Sequence, residues 1–387
     1  MSAAPGEPIE GIAAGRVSPP GLVQAGDGVA QIETPALVID LDAMERNIER
    51  MAAYARSHGV RLRPHAKTHK TAAIARLQIE AGAVGICVQK LSEAQALVDA
   101  GISDIFVSNQ IVDPHKLARL ALLAQRATLA LAVDSIAGID ALAHALKTTP
   151  ADIGVFVEVD VGQGRCGVPP AQAGSLARQV VSHGLRFAGL QAYHGGAQHL
   201  RTAAEREAAI HRSVAQARAA YAAVTGDGVA CQLVTGAGTG SFMFEATSSL
   251  YGEIQPGSYV FMDRDYGLNQ AVPGAPVFEQ ALFVKSQVIS LAAAHAVVDA
   301  GHKSHAIDSG LPSVWGRDLE FRNGGDEAGI LIKRRDPLPA LGETVWLVPG
   351  HCDPTVNLHD RVIALRGGLE SGWVEAVWTV DARGCLT

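Results

Sequence analysis

Eight short runs rich in β-branched and apolar residues alternate with amphipathic stretches, and this alternation restricts the fold more than any other feature of the chain. The runs cover residues 37–40, 62–67, 85–88, 104–108, 129–133, 154–159, 187–193 and 231–235, with helical patterns over 42–56, 92–100 and 199–224. Eight parallel strands, each followed by a helix, describe an α/β fold of the (β/α)8 barrel type, for which an open doubly wound sheet is the alternative. We expect the barrel.

After Asp263 the pattern changes to strands without intervening helices. These strands are predicted at residues 281–289, 295–299, 344–348, 361–365 and 373–382, and they indicate a C-terminal antiparallel β domain. The Gly- and Pro-rich start predicts a loose segment. The expected organisation is therefore a loose N-terminal segment (1–32), a barrel (33–275) and a β domain (276–387).

The charge balance and the cysteines exclude several functional classes. The 387 residues carry a net charge of −7 without a basic block, which argues against nucleic acid and anionic membranes as partners. Five scattered cysteines without a C-x-x-C pair argue against a disulfide framework or a zinc finger. No signal-peptide pattern opens the chain, so we expect a cytoplasmic protein with reduced thiols.

One lysine lies among imidazoles. In an extended strand, Arg63, His65, Lys67 and His69 would share one face. Cationic neighbours or desolvation would lower the pKa of Lys67 toward the neutral amine, which can form a Schiff base with an aldehyde such as that of pyridoxal phosphate. The alternative for this run alone is a solvated basic strand.

In a barrel, the residues at the C-terminal ends of the strands form the active site. Strand eight runs into a Gly-rich turn containing Gly238, Thr239, Gly240 and Ser241, which could hold a phosphate with backbone amides and hydroxyls. A plain tight turn is the alternative. Gly257 and Ser258 are a second source of amides. Arg165, in the turn after strand six, could pair with a cofactor ring or be an ordinary surface arginine.

A candidate metal site lies in the β domain. In an extended segment, His351 and Asp353 would point to one side and Cys352 to the other. Mixed nitrogen and oxygen ligation suits Mn²⁺, Mg²⁺ or Co²⁺. A polar turn without metal is the alternative. His359 and Asp360 could support this site or belong to the surface.

Six motifs in order resemble the D-threonine aldolases and the similar D-3-hydroxyaspartate aldolases. They are Pro64-His65-Ala66-Lys67, Gly85-Ile86-Cys87-Val88-Gln89-Lys90, Gly162-Gln163-Gly164-Arg165-Cys166-Gly167, Gln191-Ala192-Tyr193-His194 with Gln198-His199, Gly236-Ala237-Gly238-Thr239-Gly240 and His351-Cys352-Asp353-Pro354. These families are fold-type III pyridoxal phosphate enzymes related to alanine racemase. The resemblance spans residues 33–384.

The resemblance implies a role for each matching residue. Lys67 would bind pyridoxal 5'-phosphate covalently, His351 and Asp353 would bind the divalent metal, and His199 would be the base. The remaining cofactor contacts would come from Gln89, Arg165, Tyr193, Gly238, Thr239, Gly240, Gly257 and Ser258. The substrate would be a D-β-hydroxy-α-amino acid, cleaved reversibly to glycine and an aldehyde, and the enzyme would be a homodimer.

Other functions stay open at this point. A D-hydroxy amino acid dehydratase would carry cysteine where this chain has Asp353. A non-catalytic pyridoxal phosphate carrier would lack the β domain, and a racemase would need bases on both faces of Cα but no metal. The chain also departs from the family at residues 326–329, where Asp-Glu-Ala-Gly replaces Asp-Glu-His-Gly, although Asp326 could approach a neighbouring subunit's site. Arg317 is a candidate partner for a substrate carboxylate.

Overall fold

The computed structural model describes residues 23–387, in which two β-sheets are connected by helices. The strands are β1 (Ala36–Asp40), β2 (Arg61–Leu62), β3 (Ile86–Val88), β4 (Asp104–Val107), β5 (Thr128–Val133), β6 (Ile153–Glu158), β7 (Arg186–Ala192), β8 (Val234–Gly236), β9 (Glu253–Ile254), β10 (Leu282–Leu291), β11 (His295–Val298), β12 (Ser313–Val314), β13 (Leu319–Asn323), β14 (Gly329–Lys333), β15 (Thr344–Val348), β16 (Arg361–Arg366) and β17 (Trp373–Thr379). The α-helices are α1 (Leu41–Ser57), α2 (Ala72–Glu80), α3 (Leu91–Asp99), α4 (Pro114–Leu123), α5 (Ile136–Thr148), α6 (Ala173–Ser182), α7 (Ala203–Gly226), α8 (Phe242–Ala246), α9 (Arg264–Gly267) and α10 (Cys352–Val356).

The first sheet is the predicted barrel. Eight parallel strands follow one another in the order β2-β9-β8-β7-β6-β5-β4-β3. The ring closes between its two ends, because the Cys87 N–H donates to the Pro64 carbonyl and the Ala66 N–H donates to the Cys87 carbonyl, both at 2.8 Å. Phe106 and Phe156 fill the interior with ring centroids 4.6 Å apart. The closed ring excludes the open doubly wound sheet.

The sequence pattern predicts residues 37–40 as the first barrel strand, and this prediction is wrong. β1 instead pairs antiparallel with β10 and parallel with β16 in the second sheet. The eighth barrel strand is β9, which has only two residues and pairs with β8 and β2. Both faces of β1 are covered, so it has the same apolar pattern as a barrel strand and only its pairing partners distinguish it.

The second sheet has nine strands, of which β1 is the only contributor from the N-terminal half of the described chain. Its order is β13-β14-β11-β10-β1-β16-β17, with β15 also paired to β10 and β12 paired to β15. All pairings are antiparallel except that of β1 with β16. The five strands predicted in this region are confirmed, while the short strands β12, β13 and β14 were not predicted.

Residues 1–22 of the predicted loose segment lie outside the described residues. From residue 26 the chain is bound to the second sheet: the Gly26 N–H donates to the Val374 carbonyl at 2.8 Å, and the Val374 N–H donates to the Asp27 carbonyl at 2.7 Å. The division of the chain between residues 275 and 276 stays a proposal. Within residues 23–387, no helix has both the length and the apolar character needed to cross a membrane.

Side-chain caps fix where several helices begin. The Asp40 carboxylate accepts from the Ala43 N–H and starts α1 at Leu41, and a Thr202–Glu205 capping box starts α7 at Ala203. The predicted helix over 199–224 therefore begins four residues later than expected. His199 instead ends a 3-10 turn, Gly195–His199, between β7 and α7.

The Arg63 side chain does not share a face with Lys67. It contacts the first residues of β4 and β9, at the N-terminal end of the barrel strands, which we call the barrel floor. Its Nη1 lies 2.6 Å from Asp104 Oδ1, and its Nε lies 3.2 Å from Oε1 of Glu253, whose side chain is 1% exposed. Thr235 donates to the same Glu253 oxygen at 2.9 Å. Arg61 also contacts Glu253, at 3.2 Å, but its side chain is 49% exposed.

The floor network predicts unequal effects for the two arginines. Arg63→Met leaves a buried carboxylate without its main partner and should lower the free energy of unfolding by about 3–5 kcal/mol. Arg61→Met removes an exposed partner of the same carboxylate and should cost at most about 1 kcal/mol. Urea denaturation followed by circular dichroism measures both. Equal unfolding midpoints for the two variants would show that Arg63 does not carry this network.

Candidate active site

A cleft lies at the C-terminal ends of the barrel strands, where the segment after β15 covers them. It is lined by His65, Lys67, Gln89, Ser108, Arg165, Gln191, Tyr193, His199, Ala237, Gly238, Thr239, Gln255, Gly257, Ser258, Tyr266, His351 and Asp353. All but one of the residues to which the resemblance assigns a role are in this group. The exception is Gly240, whose N–H donates to Gln198 Oε1 at 2.8 Å behind the cleft wall.

Lys67 lies in the turn that follows β2, not on an extended strand face. Its Nζ is 3.7 Å from Asp353 Oδ2, and its side chain is 39% exposed. Burial alone would lower the pKa of Lys67, but the carboxylate of Asp353, with Tyr193, outweighs it and the pKa is raised. The expectation of a lowered pKa was therefore wrong for this arrangement, because it considered the cationic neighbours and not an anion from the second sheet.

The two histidines near Lys67 have different surroundings. His65 lies beside Lys67 and its Nε2 is 2.9 Å from Gln89 Nε2, while burial and then the Lys67 charge hold its pKa well below the usual value. His69 is fully buried away from the cleft, where its Nε2 contacts Gln78 Oε1 at 3.2 Å. Gln89 also donates to Ser108 Oγ at 3.1 Å. A neutral His65 and Gln89 thus form the wall beside the lysine.

The Gly-rich turn after β8 faces a second turn after β9. The backbone N–H groups of Thr239, Gly257 and Ser258 donate to no other group of residues 23–387. A Cβ on Gly238 would lie 2.5 Å from Gln198 Oε1, and one on Gly257 would lie 2.7 Å from Thr68 Oγ1, so a larger residue at either position would displace these neighbouring side chains. Free amides at the cleft wall suit an anionic group such as phosphate.

The turns at Gly238, Thr239, Gly257 and Ser258 form a cup lined with free amides. Ser241 was expected to point into this cup, but it lies beneath it. Its hydroxyl donates to Glu245 Oε1 at 2.9 Å and accepts from Gln198 Nε2 at 2.8 Å. Burial raises the pKa of Glu245 to about 7. Ser241 and Glu245 therefore support the turn from below, and Thr239 is the hydroxyl that reaches the cleft.

Arg165 and Tyr193 line the cleft on the side of β6 and β7. The turn that carries Arg165 is fixed by Asp160, which accepts from the Gly162 and Gly164 N–H groups at 2.9 and 3.0 Å. Arg165 has no ion-pair partner in the described part of the chain, so its guanidinium is available to a ligand. Burial raises the pKa of Tyr193, which keeps its hydroxyl protonated as a hydrogen-bond donor.

His199 reaches the cleft with one ring nitrogen already engaged. Its Nδ1 is 2.5 Å from Asp265 Oδ2, while its side chain remains 47% exposed. Asp265 and Tyr266 were missed by the sequence reasoning. The only local signal was the polar stretch Asp263-Arg264-Asp265-Tyr266 shortly after the last barrel strand, and nothing in it reveals that His199, 66 residues earlier, is its partner.

His351 and Asp353 lie in the cleft opposite Lys67, although the segment is not extended as predicted. His351 precedes α10, and Asp353 lies in the first turn of that short helix. The reason is Asp263, whose Oδ2 accepts from the Cys352 N–H at 2.9 Å. Cys352 is fully buried and outside the cleft, as expected. Asp308 Oδ2 contacts His351 Nδ1 at 2.6 Å, which leaves Nε2 available as a ligand atom.

Charges within the His351–Asp353 pair attract each other. Burial would raise the pKa of the Asp353 carboxyl, but Lys67 and His351 hold it below its usual value. Burial would likewise lower the pKa of His351, but Asp353 and then Asp308 raise it. Among residues 23–387, no three His, Cys, Asp or Glu side chains converge as metal ligands. A metal here would have two protein ligands and keep open positions.

The other residues considered for this site lie elsewhere. His359 Nε2 contacts the Ser304 carbonyl at 2.8 Å, and Asp360 pairs with Arg383. Arg317 pairs with Glu343 and does not line the cleft, so the structure does not support it as a partner for a substrate carboxylate. Asp326 contacts His302 Nε2 at 2.9 Å at the surface.

The cleft fits both groups that the resemblance implies. A lysine with its amine in the cleft, free backbone amides in the cleft wall and an Arg165 without an ion-pair partner in residues 23–387 suit an aldehyde-bearing phosphate ester such as pyridoxal phosphate. An imidazole nitrogen and a carboxylate side by side suit a divalent cation.

Comparison with known proteins agrees with this geometry. Residues 39–265 match the family of the alanine racemase N-terminal domain, and residues 281–365 match the serine dehydratase domain family. The chain is 46% identical over 384 residues to D-threonine aldolase from Arthrobacter sp, covering 98% of each chain. It is 42% identical over 365 residues to 3-hydroxy-D-aspartate aldolase from Paracoccus denitrificans, covering 92% of this chain and 93% of that one.

A solved structure is similar over nearly the whole fold. The crystal structure of D-threonine aldolase from Filomicrobium marinum superposes with a TM-score of 0.92 at 47% identity, covering 94% of this chain and all of that one. The arrangement of a barrel and a second sheet is therefore shared with that enzyme.

Proposed function

Because the chain belongs to the family of D-threonine aldolases and 3-hydroxy-D-aspartate aldolases, fold-type III pyridoxal phosphate enzymes, we propose that it cleaves D-β-hydroxy-α-amino acids reversibly to glycine and an aldehyde. It is a carbon–carbon lyase. The observation that carries the proposal is the convergence in one cleft of Lys67, His199 and the His351–Asp353 pair. A cytoplasmic location and a homodimeric state remain predictions of the sequence.

Lys67 would hold pyridoxal phosphate through its Nζ, and the cup at Gly238, Thr239, Gly257 and Ser258 would hold the phosphate. Arg165, Gln89 and Tyr193 would contact the ring. When bound, pyridoxal phosphate accepts the electron pair of the breaking Cα–Cβ bond, and a divalent cation lowers the pKa of the β-hydroxyl. His351 and Asp353 are the side chains that would hold that cation, which we expect to be Mn²⁺, Mg²⁺ or Co²⁺.

His199 performs the proton transfer in this proposal. Its Nδ1 is engaged by Asp265, so Nε2 is the atom that takes the proton from the β-hydroxyl, directly or through a water. The electron pair of that O–H bond becomes the second bond of the aldehyde carbonyl as Cα–Cβ breaks. Cα then receives a proton and glycine leaves. In the reverse direction His199 returns the proton to the new hydroxyl.

Two rivals share parts of this site. A D-hydroxy amino acid dehydratase would expel the β-hydroxyl instead of deprotonating it, and the match of residues 281–365 to the serine dehydratase family keeps this candidate in view. Asp353 favours cleavage, because an oxygen ligand suits Mn²⁺, Mg²⁺ and Co²⁺ better than the thiolate expected in a dehydratase. A non-catalytic carrier would not need an oriented base such as His199, which Asp265 holds beside the cleft.

The products distinguish these functions. We expect D-threonine to give glycine and acetaldehyde in equal amounts, and D-3-hydroxyaspartate to give glycine and glyoxylate, while L-threonine gives neither. Amino acid analysis with an aldehyde-trapping assay measures the products, and the two rates identify the preferred β-substituent. Release of ammonia and a keto acid would instead identify a dehydratase. Absence of any turnover by cofactor-loaded protein would favour the non-catalytic pyridoxal phosphate carrier.

Metal dependence tests the His351–Asp353 pair separately. Loss of a residue that only supports a metal ligand typically lowers metal affinity by ~10–100-fold. Asp353→Ala removes a proposed ligand itself, so its Mn²⁺ affinity should fall by more than this, and cleavage should be lost. The matched control is Cys352→Ser, one residue earlier in the same helix, which should bind Mn²⁺ normally because Cys352 is buried outside the cleft and a serine hydroxyl can keep its 3.4 Å contact with Asp353 Oδ1. Free Mn²⁺ is measured by electron paramagnetic resonance, independently of activity.

Chelation of the wild-type enzyme gives the complementary test. EDTA should abolish cleavage, and Mn²⁺, Mg²⁺ or Co²⁺ should restore it. Full activity in EDTA, together with unchanged Mn²⁺ binding in Asp353→Ala, would mean that His351 and Asp353 form a polar turn without metal.

A further inference from the structure

One buried carboxylate, Asp265, connects the proposed base to the rest of the site. Its side chain is 7% exposed and both of its oxygens are engaged: Oδ2 by His199 Nδ1 at 2.5 Å, and Oδ1 by Arg201. Burial alone would raise the pKa of the Asp265 carboxyl, but the hydrogen bonds from Arg201 and His199 lower it. Asp265 is thus an anion that can only accept hydrogen bonds.

This contact determines the tautomer of His199. Because the carboxylate cannot donate, the hydrogen between the two groups must be on His199 Nδ1. In the neutral ring, Nε2 then carries the lone pair, and it is the ring nitrogen of this cleft residue that Asp265 leaves free. The His199 side chain is 47% exposed, and within residues 23–387 its hydrogen-bond, ion-pair and ring partners are Asp265 and the Tyr266 ring, at a centroid distance of 5.6 Å, so Asp265 is its main restraint.

Asp265 is itself held in place on the side away from His199. Arg201 Nη1 donates to the Asp265 carbonyl at 2.6 Å and to Asn269 Oδ1 at 2.8 Å. Asn269 Nδ2 in turn donates to the Gln198 carbonyl at 2.9 Å, directly before His199. The base and its carboxylate are therefore enclosed in one short network.

The same segment also holds the residues on both sides of His351. Asp263 accepts from the Cys352 N–H at 2.9 Å and from the Tyr266 N–H at 2.8 Å. The Arg264 and Asp265 N–H groups donate to the carbonyls of Pro349 and Gly350 at 3.0 and 3.2 Å. One four-residue segment, 263–266, thus sets the position of the base relative to the His351–Asp353 pair.

We propose that Asp265 is a positioning residue for the cleavage reaction, which fixes His199 with Nδ1 protonated and Nε2 directed at the substrate hydroxyl. This inference rests on the proposed function, in which His199 is the base. The competing account is that Asp265 and Arg201 form an ion pair that stabilises the fold and does not act through His199.

Asp265→Asn distinguishes the two accounts because the amide can donate to Nδ1 and favour the other tautomer. We expect kcat to fall by roughly 10²–10⁴-fold, the range that a positioned base contributes, with little change in KM. His199→Ala should fall by a similar factor. The double variant should be no slower than His199→Ala alone, because Asp265 affects the reaction only by orienting the imidazole, which is absent in His199→Ala.

Arg201→Met is the matched control, since it removes the other partner of the same carboxylate. It should reduce kcat much less than Asp265→Asn while reducing thermal stability at least as much. The structural account predicts that Arg201→Met and Asp265→Asn lose kcat equally, and that the losses of Asp265→Asn and His199→Ala multiply in the double variant. Either result would overturn the proposal.

A spectroscopic measurement keeps this test independent of turnover. In protein with ¹⁵N-labelled histidine and no cofactor, the signals absent from His199→Ala identify His199, and long-range ¹H–¹⁵N correlations report which nitrogen carries the hydrogen. We expect Nδ1–H in the wild type and a shift toward Nε2–H in Asp265→Asn. Wild-type His199 with Nε2–H would overturn the proposal. Failure of the proposed function would appear differently, as correct tautomers in an enzyme that cleaves no D-β-hydroxy-α-amino acid.

Discussion

The attraction between the Lys67 amine and the Asp353 carboxylate joins the two sheets at the centre of the cleft. The lysine belongs to a barrel turn and the aspartate to α10 after β15, with 3.7 Å between Nζ and Oδ2. Such a contact requires the sheets to be held in register. β1 provides this, because it is a strand of the second sheet whose next residues form α1, and both pack into one apolar core with β9 and β10.

Asp353 has two competing uses for its carboxylate. It raises the pKa of Lys67 in the protein without ligands, and it is one of the two side chains proposed for the metal. A bound cation would share that negative charge and so weaken its hold on the Lys67 proton. The protonation of Lys67 and the proposed metal binding are thus coupled through the Asp353 carboxylate. A barrel without the second sheet would lack this coupling.

The sequence predicted the barrel, the second sheet and most of the residues that line the cleft, because these depend on local patterns and on motifs that keep their order. It failed where partners are distant. β1 and a barrel strand have the same apolar pattern, and two-residue β9 has none. The segment at His351 was expected to be extended, but Asp263 caps it into a helix. Asp265 was missed because only the folded chain brings it to His199.

The most direct test of this account is to find which lysine binds the cofactor. Lys70 and Lys90 are the nearest rivals in sequence, yet Lys70 is buried in an ion pair with Glu93 at 3.0 Å and Lys90 is outside the cleft. Borohydride reduction of the cofactor-loaded enzyme followed by peptide mass mapping gives the answer. The account predicts the reduced pyridoxyl group on Lys67 alone. Its recovery on Lys70 or Lys90 would contradict the central claim that Lys67 and Asp353 face each other across one catalytic cleft.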